Sequence, residues 1–298
     1  MTLGNDTEMT RTLRSLFHLI LGQEDLNFLL TNRIPRRLAT RFMGWFSRIE
    51  QPLVREASLR LWRAFADLDL HEAKKQRFSS LHDCFVRELR DGARPVDTDP
   101  AILTSPCDAI VGAAGRVEGT RVWQAKGYPY AIEELLGPDG PAEIYRDGCY
   151  ATLRITASMY HRFHAPYDCT AQRVTYFSGD TWNVNPIALE RIERLFCKNE
   201  RAALELRLGA GGYPVTLVAV AAVLVASIRL HALDARLPVR RLGANLFRCD
   251  ANYAKGEEMG WFEHGSTIIV FAPRGFSLHE RLREGSRVRM GEPLLRLP

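Results

Sequence analysis

Six cysteines stand in this 298-residue chain, at 84, 107, 149, 169, 197 and 249, and none forms a Cys-x-x-Cys pair. Neither a zinc ribbon nor a redox dithiol is therefore spelled out. Long apolar runs are also missing. The longest, Val215 to Ile228, is 14 residues and contains Thr216 and Ser227, against the roughly 20 needed to span a bilayer. No secretory leader precedes the cysteines, which predicts reduced thiols in a cytosolic setting. Excess charge is scarce outside one window. The net charge is +5, and residues 31–60 account for it with seven arginines (33, 36, 37, 41, 48, 55 and 60) against Glu50 and Glu56. The other 33 basic and 33 acidic residues cancel. This excludes a surface coated for nucleic acid and points to one locally charged face.

What is present suits a full core held without staples: 46% of the residues are apolar and 25% charged. The first 95 or so residues read as helices. In Arg11–Leu30, Leu13, Leu16, Phe17, Ile20 and Leu21 recur at helical spacing. After Pro35, Leu38, Phe42, Trp45, Phe46 and Ile49 form an apolar stripe with arginines between them. Leu53–Leu68 repeats the pattern, and Leu81–Leu89 adds a short helix. An Arg-rich amphipathic helix bearing Trp and Phe suits a membrane interface; it equally suits a surface helix packed on the core.

From about Pro95 the texture becomes strand-like, with short β-branched and aromatic runs between Gly, Pro and Asp clusters. Strands are expected at Tyr150–Thr156, Gln172–Tyr176, Tyr213–Ile228 (one or two), Thr267–Phe271 and Pro293–Leu297, with one helix near Ala188–Cys197. In Glu284–Leu295, Gly285 and Gly291 are expected at tight turns, with Val288 and Leu294 on short strands. This stretch and Pro106–Gly119 resemble the hammerhead turns of lipoyl- and biotin-carrier domains, without a carrier lysine.

Three segments can carry chemistry. His264-Gly265-Ser266 leads into the apolar run Thr267–Phe271. Such a tripeptide is often only a turn, but its Gly-Ser bond is also a place where a chain can cut itself and convert the new N-terminal serine to a pyruvoyl group. Tyr160-His161-Arg162-Phe163-His164-Ala165-Pro166 presents two imidazoles on a rigid turn. They are either solvated or functional, and no third ligand stands at a recognisable spacing for zinc. Asp108, in Ser105-Pro106-Cys107-Asp108, is a turn residue or the acid of a Ser/His/Asp set, in which acid orients imidazole and imidazole deprotonates hydroxyl.

Taken in order, Arg94-Pro-Val-Asp97, Ser105-Pro-Cys-Asp108, Gln124-Ala-Lys-Gly127, Tyr160-His-Arg-Phe-His164, Asn183-Val-Asn185, Asn199-Glu-Arg201, Lys255-Gly-Glu-Glu-Met-Gly260 and Gly265-Ser-Thr267 resemble the phosphatidylserine decarboxylases. These are pyruvoyl-dependent, self-processing enzymes. The likeness covers roughly residues 90 to 298. It implies an α+β fold: N-terminal amphipathic helices (1–95, membrane-associating), then a strand-rich catalytic domain (96–298) with lipoyl/biotin-carrier-like, barrel-sandwich hybrid elements. It implies cleavage at Gly265-Ser266 into a β subunit (1–265) and an α subunit (266–298). Ser266 becomes the pyruvoyl group, Asp108 and His164 complete its processing triad, and His161 serves decarboxylation. The group forms a Schiff base with phosphatidylserine and releases CO2 to leave phosphatidylethanolamine, with no pyridoxal phosphate and no metal. A homodimer on the cytoplasmic side of the cell membrane, bound peripherally, is implied as well.

Three positions depart from the family pattern. Ala109 replaces a usual glycine, and a positive φ there would cost about 1 kcal/mol. His264 replaces an apolar residue, and Val218–Val225 is richer in alanine than is usual. On these departures the other reading is a non-cleaving homologue acting as a membrane- or lipid-binding scaffold. A serine hydrolase reading fails because Ser266 lacks the Gly-x-Ser-x-Gly elbow.

Overall fold

The computed structural model describes residues 28, 35–66, 68–125, 128–223, 228–233, 244–263 and 266–298. The helix expected at Arg11–Leu30 lies, Phe28 aside, outside them. The next three expected helices are α1 (Arg36–Phe46), α2 (Pro52–Phe65) and α3 (Leu81–Phe85). Pro52 suits the first turn of α2, where its missing N–H has no helical partner, and the Gln51 side chain accepts from Val54 N at 2.8 Å. Ser80 caps α3 by accepting from Asp83 N at 3.1 Å. The three helices share a small core of Leu59, Phe78, Leu81 and Cys84, with Met43, Phe46 and Trp62 packed on it. No helix among the described residues is long and apolar enough to cross a membrane.

The apolar run Thr267–Phe271 has no polar face to give to water, so it suits a strand covered on both sides. It lies in β13 (Ser266–Ala272), where Ile268 to Ala272 are at most 1% exposed. β13 belongs to an eight-stranded sheet of order β11 (Ala244–Tyr253), β7 (Cys169–Phe177), β8 (Arg201–Leu208), β9 (Pro214–Ala221), β13, β5 (Cys149–Ile155), β2 (Ala109–Arg116), β15 (Arg287–Val288). All neighbours are antiparallel. The register sets Ser266 opposite Ile155 on one side and Ala221 on the other.

Smaller sheets flank this one. One runs β10 (Ile228–Leu230), β12 (Glu258–Phe262), β6 (Arg162–His164). Another runs β1 (Ile102–Thr104), β16 (Pro293–Arg296), β14 (Ser277–Leu278). A hairpin of β3 (Arg121–Ala125) and β4 (Tyr128–Ala131) leads into the short helix α4 (Ile132–Leu136). The fold is thus α+β, strand-rich with few helices, and its sheets are not closed into barrels.

Where the periodicity predicts one helix near Ala188–Cys197, two short ones form, α5 (Pro186–Leu189) and α6 (Leu195–Lys198). The break falls at Arg194, whose φ of 53° is left-handed and cannot continue a right-handed helix. Gly285 and Gly291 take φ of 81° and 88° at the expected turns. Gly260 in β12 meets a different constraint, since a Cβ there would strike the Arg229 carbonyl oxygen and the Phe163 ring. Gly260→Ala is therefore expected to destabilise the protein by about 1–3 kcal/mol, measured as a lower urea midpoint. An unchanged midpoint would show that β10 can yield.

Candidate active site

The Gly265-Ser266 bond, where the sequence leads us to expect a cut, is flanked by Glu263 and β13, each held in place. His264 and Gly265, including the unusual His264, lie outside the described residues. On the near side, Glu263 is buried and held by Arg48 at 2.7 Å and Arg229 at 3.1 Å. Burial pushes the Glu263 carboxyl up, but Arg48, Arg229 and His82 outweigh it and hold it below its ordinary range. On the far side, Ser266 begins β13, bonded into both β9 and β5.

Asp108 and His164 are both buried, and no hydrogen bond joins them. The Asp108 carboxylate takes a two-pronged contact from Arg94, at 2.8 and 2.5 Å, and a third bond from Met290 N at 2.9 Å. His164 has Nδ1 2.9 Å from the Gly256 carbonyl oxygen and Nε2 3.0 Å from the Tyr160 hydroxyl. A carbonyl only accepts, so Nδ1 carries the proton and donates it to Gly256. Nε2 is left with its lone pair, and Tyr160 donates to it. Burial lowers the His164 pKa; the Gly256 bond, Glu258 and, through space, Asp108 offset this only in part. The sequence implied that Asp108 orients this imidazole directly. Instead the Gly256 carbonyl does so, while the Asp108 carboxylate is turned to Arg94 and Met290 N.

His161 is fully buried and lies against Phe85, ring centroids 3.9 Å apart, and its carbonyl accepts from Phe262 N at 3.0 Å. Phe85 in turn stacks on Trp62, and both line an apolar cavity of about 830 Å³. Met43, Phe46 and Leu61 supply more of its helical wall, and Ile155, the neighbour of Ser266, supplies its floor on the sheet side. The cavity thus reaches from the N-terminal helices to the start of β13. Ala109 lies in β2 opposite Val288, and the non-glycine residues with positive φ among those described are Asp147 and Arg194. The alanine substitution therefore carries no left-handed strain.

Several residues of the ordered segments act as clamps on backbone. The Asn199 amide donates to the carbonyls of Trp182 and Ala221, at 2.9 and 2.8 Å, and so holds the end of β9 beside Ser266. Gln124 donates to Leu189 and Ile192 carbonyls and accepts from Leu195 N. Lys255 reaches the carbonyls of Asp99 and Ile102. Residues that sequence reasoning left without roles include Tyr160, Gly256, Arg94 and Phe85. Tyr160, Arg94 and Gly256 had a signal, since each stands in a segment that resembles the family; Phe85 had none.

Comparisons with known proteins bear on what this arrangement does. A family profile described as phosphatidylserine decarboxylase matches residues 81–296. A phosphatidylserine decarboxylase proenzyme of Vibrio cholerae serotype O1 is 36% identical over 273 residues, covering 87% of this chain and 94% of that protein. The proenzyme of Aliivibrio salmonicida is 34% identical over 272 residues, covering 88% and 91%.

The Arg94–Asp108 pair has side chains only 8% and 11% exposed. Arg94→Met is expected to cost about 3 kcal/mol or more, because it strands a buried carboxylate. Adding Asp108→Asn should recover part of that loss in a denaturant double-mutant cycle. Strict additivity would show that the two groups do not depend on each other.

Proposed function

The chain belongs to the phosphatidylserine decarboxylase family, and from that premise we propose which of its residues do the work. The protein is a pyruvoyl-dependent carboxy-lyase, made as a proenzyme that processes itself and converts phosphatidylserine to phosphatidylethanolamine. The position of Ser266 carries the residue-level reading: it is the first residue of the central strand, beside the Ile155 that lines the apolar cavity.

In processing, neutral His164 takes the proton of the Ser266 hydroxyl through Nε2. The hydroxyl oxygen attacks the Gly265 carbonyl carbon, and the amide becomes an ester. Loss of the Ser266 α-proton then expels the Gly265 carboxylate and leaves dehydroalanine at position 266, which tautomerises and hydrolyses with release of ammonia. Asp108 completes the triad by its charge, stabilising the imidazolium through space. The surroundings of Ser266 suit the resulting pyruvoyl group, since its backbone is held by strands on both sides and its neighbour Ile155 is apolar. When present, that group supplies the electron sink for loss of CO2. His161, behind Phe85 at the cavity wall, supplies the proton that replaces CO2.

Helices α1 and α2 fit a peripheral site on the cytoplasmic face of a membrane. Leu38, Phe42 and Trp45 follow one another along α1 and are 59–64% exposed, and Leu53 on α2 is 77% exposed. We divide the chain accordingly, with residues 1–95 as the membrane-associating region and 96–298 as the catalytic domain. Arg36, bonded to Asp180 at 2.7 Å, and Arg48 tie the first to the second. The pairing of Val288 with Ala109 and Arg287 with Ile110 sets the two hammerhead-like stretches side by side, which supports barrel-sandwich hybrid elements. A homodimer is carried over from the family resemblance, and light scattering of the solubilised protein checks it.

Processing is expected to yield fragments 1–265 and 266–298 on a denaturing gel, the smaller blocked to N-terminal sequencing. A single unbroken wild-type chain would overturn self-processing. Ser266→Ala should stay whole, whereas His161→Ala should cleave yet lose on the order of 100-fold in decarboxylation. Because burial lowers the His164 pKa from 6.5, the base stays neutral through that range. Cleavage of freshly translated precursor should therefore fall off only below pH 6.5, and a midpoint above it would exclude His164 in this environment.

A further inference from the structure

Among the described residues lining the cavity, Arg154 is the one charged side chain. It stands on β5, half-buried, one residue before Ile155. Other partly buried arginines here have partners: Arg94 has Asp108 and Glu72, Arg162 has Glu258, Arg229 has Glu263, and Arg201 has four backbone carbonyls. The Arg154 guanidinium makes no hydrogen bond or ion pair with any described residue. Burial lowers its pKa, with no carboxylate close enough to offset that. A cation held out of water without a counter-charge is costly. A ligand that brings the anion removes that cost.

The cavity lining says where the anion would sit. Arg154 is opposite Thr267, and the adjoining pair is Ile155 and Ser266. A substrate whose amine reacts at position 266 carries its phosphodiester one Cα–Cβ–O linkage away. Arg154 and Ile155 start from opposite faces of the sheet, but both line the same cavity where β5 ends, together with Thr156 and Ala157. Resting on the decarboxylase reading, we propose that Arg154 binds the phosphodiester of the phospholipid head group, while the apolar helical wall receives its glycerol and acyl portion. The phosphodiester is favoured over the substrate carboxylate on chemical grounds. Pairing an arginine with the departing carboxylate would stabilise the ground state and oppose loss of CO2. The phosphodiester keeps its charge from substrate through product, so its contact contributes uniform binding.

Two arms test this. In the first, processed Arg154→Gln is compared with wild type on phosphatidylserine in mixed micelles. KM should rise on the order of ten-fold or more while kcat stays within about two-fold, and Arg154→Lys should recover part of the loss. A fall in kcat at unchanged KM would overturn the proposal in favour of a contact to the reacting carboxylate, and unchanged constants would overturn it outright. The second arm needs neither cleavage nor turnover: calorimetric binding of short-chain phosphatidylethanolamine and of the matching diacylglycerol to the full chain. Wild type should bind the phospholipid at least ten-fold more tightly than Arg154→Gln does, with no such difference for diacylglycerol. Equal phospholipid binding by both would sink the assignment. Failure of the decarboxylase reading shows separately, as wild type that neither cleaves nor releases CO2.

Discussion

The interaction on which the rest depends is the pairing of β13 along both its edges. Residues 266–272 are bonded to β5 on one side and β9 on the other, and Ile268, Ile269, Val270 and Phe271 are sealed from water. Each such side chain contributes about 1.5–3 kcal/mol of burial. A chain cut just before Ser266 can therefore keep its new terminus in place. The segment after Ser266 goes on to supply β14, β15 and β16 to two sheets, so a cut there would leave the two pieces one fold. Cutting at an exposed loop tip would release the end, whereas cutting at the root of a central strand leaves it positioned.

Around that strand, polar groups are spent on fixing backbone. Asn199 holds Ala221, the partner of Ser266, and Arg48 and Arg229 hold Glu263 on the other side of the proposed cut. Arg94 fixes Asp108, and Gly256 fixes the His164 ring. The chemistry asked of the site is the movement of a few protons and the positioning of a carbonyl. A rigid surround serves this better than many reactive groups. The helices add what the sheet lacks, an apolar wall to the cavity and exposed apolar side chains on α1 and α2, the face proposed to meet a lipid surface.

The candidate site was proposed largely from residue identity. The ordered segments named Ser266, Asp108, His161 and His164, and the apolar run, the glycine turns and the change of texture near residue 95 marked the elements. Roles were less legible. Asp108, read as the partner of His164, is taken by Arg94 and by Met290, the latter 182 positions away. Gly256, 92 positions from His164, offers only a carbonyl, which no side-chain pattern reveals. Ala109 looked like a point of strain until its extended conformation in β2 removed that concern.

The sequence by itself determined that residues 36–65 are largely helical and that the chain beyond about residue 95 is strand-rich, because period and turn chemistry are local properties of the backbone. It also determined that a Gly-Ser bond precedes a strand with no wet face. The tertiary structure alone decided which charges meet, which nitrogen of His164 carries the proton, and that Arg154 stands at the wall of the cavity with no carboxylate beside it. Those outcomes depend on which strands lie side by side, and antiparallel pairing over long sequence separations is settled only when the whole sheet forms.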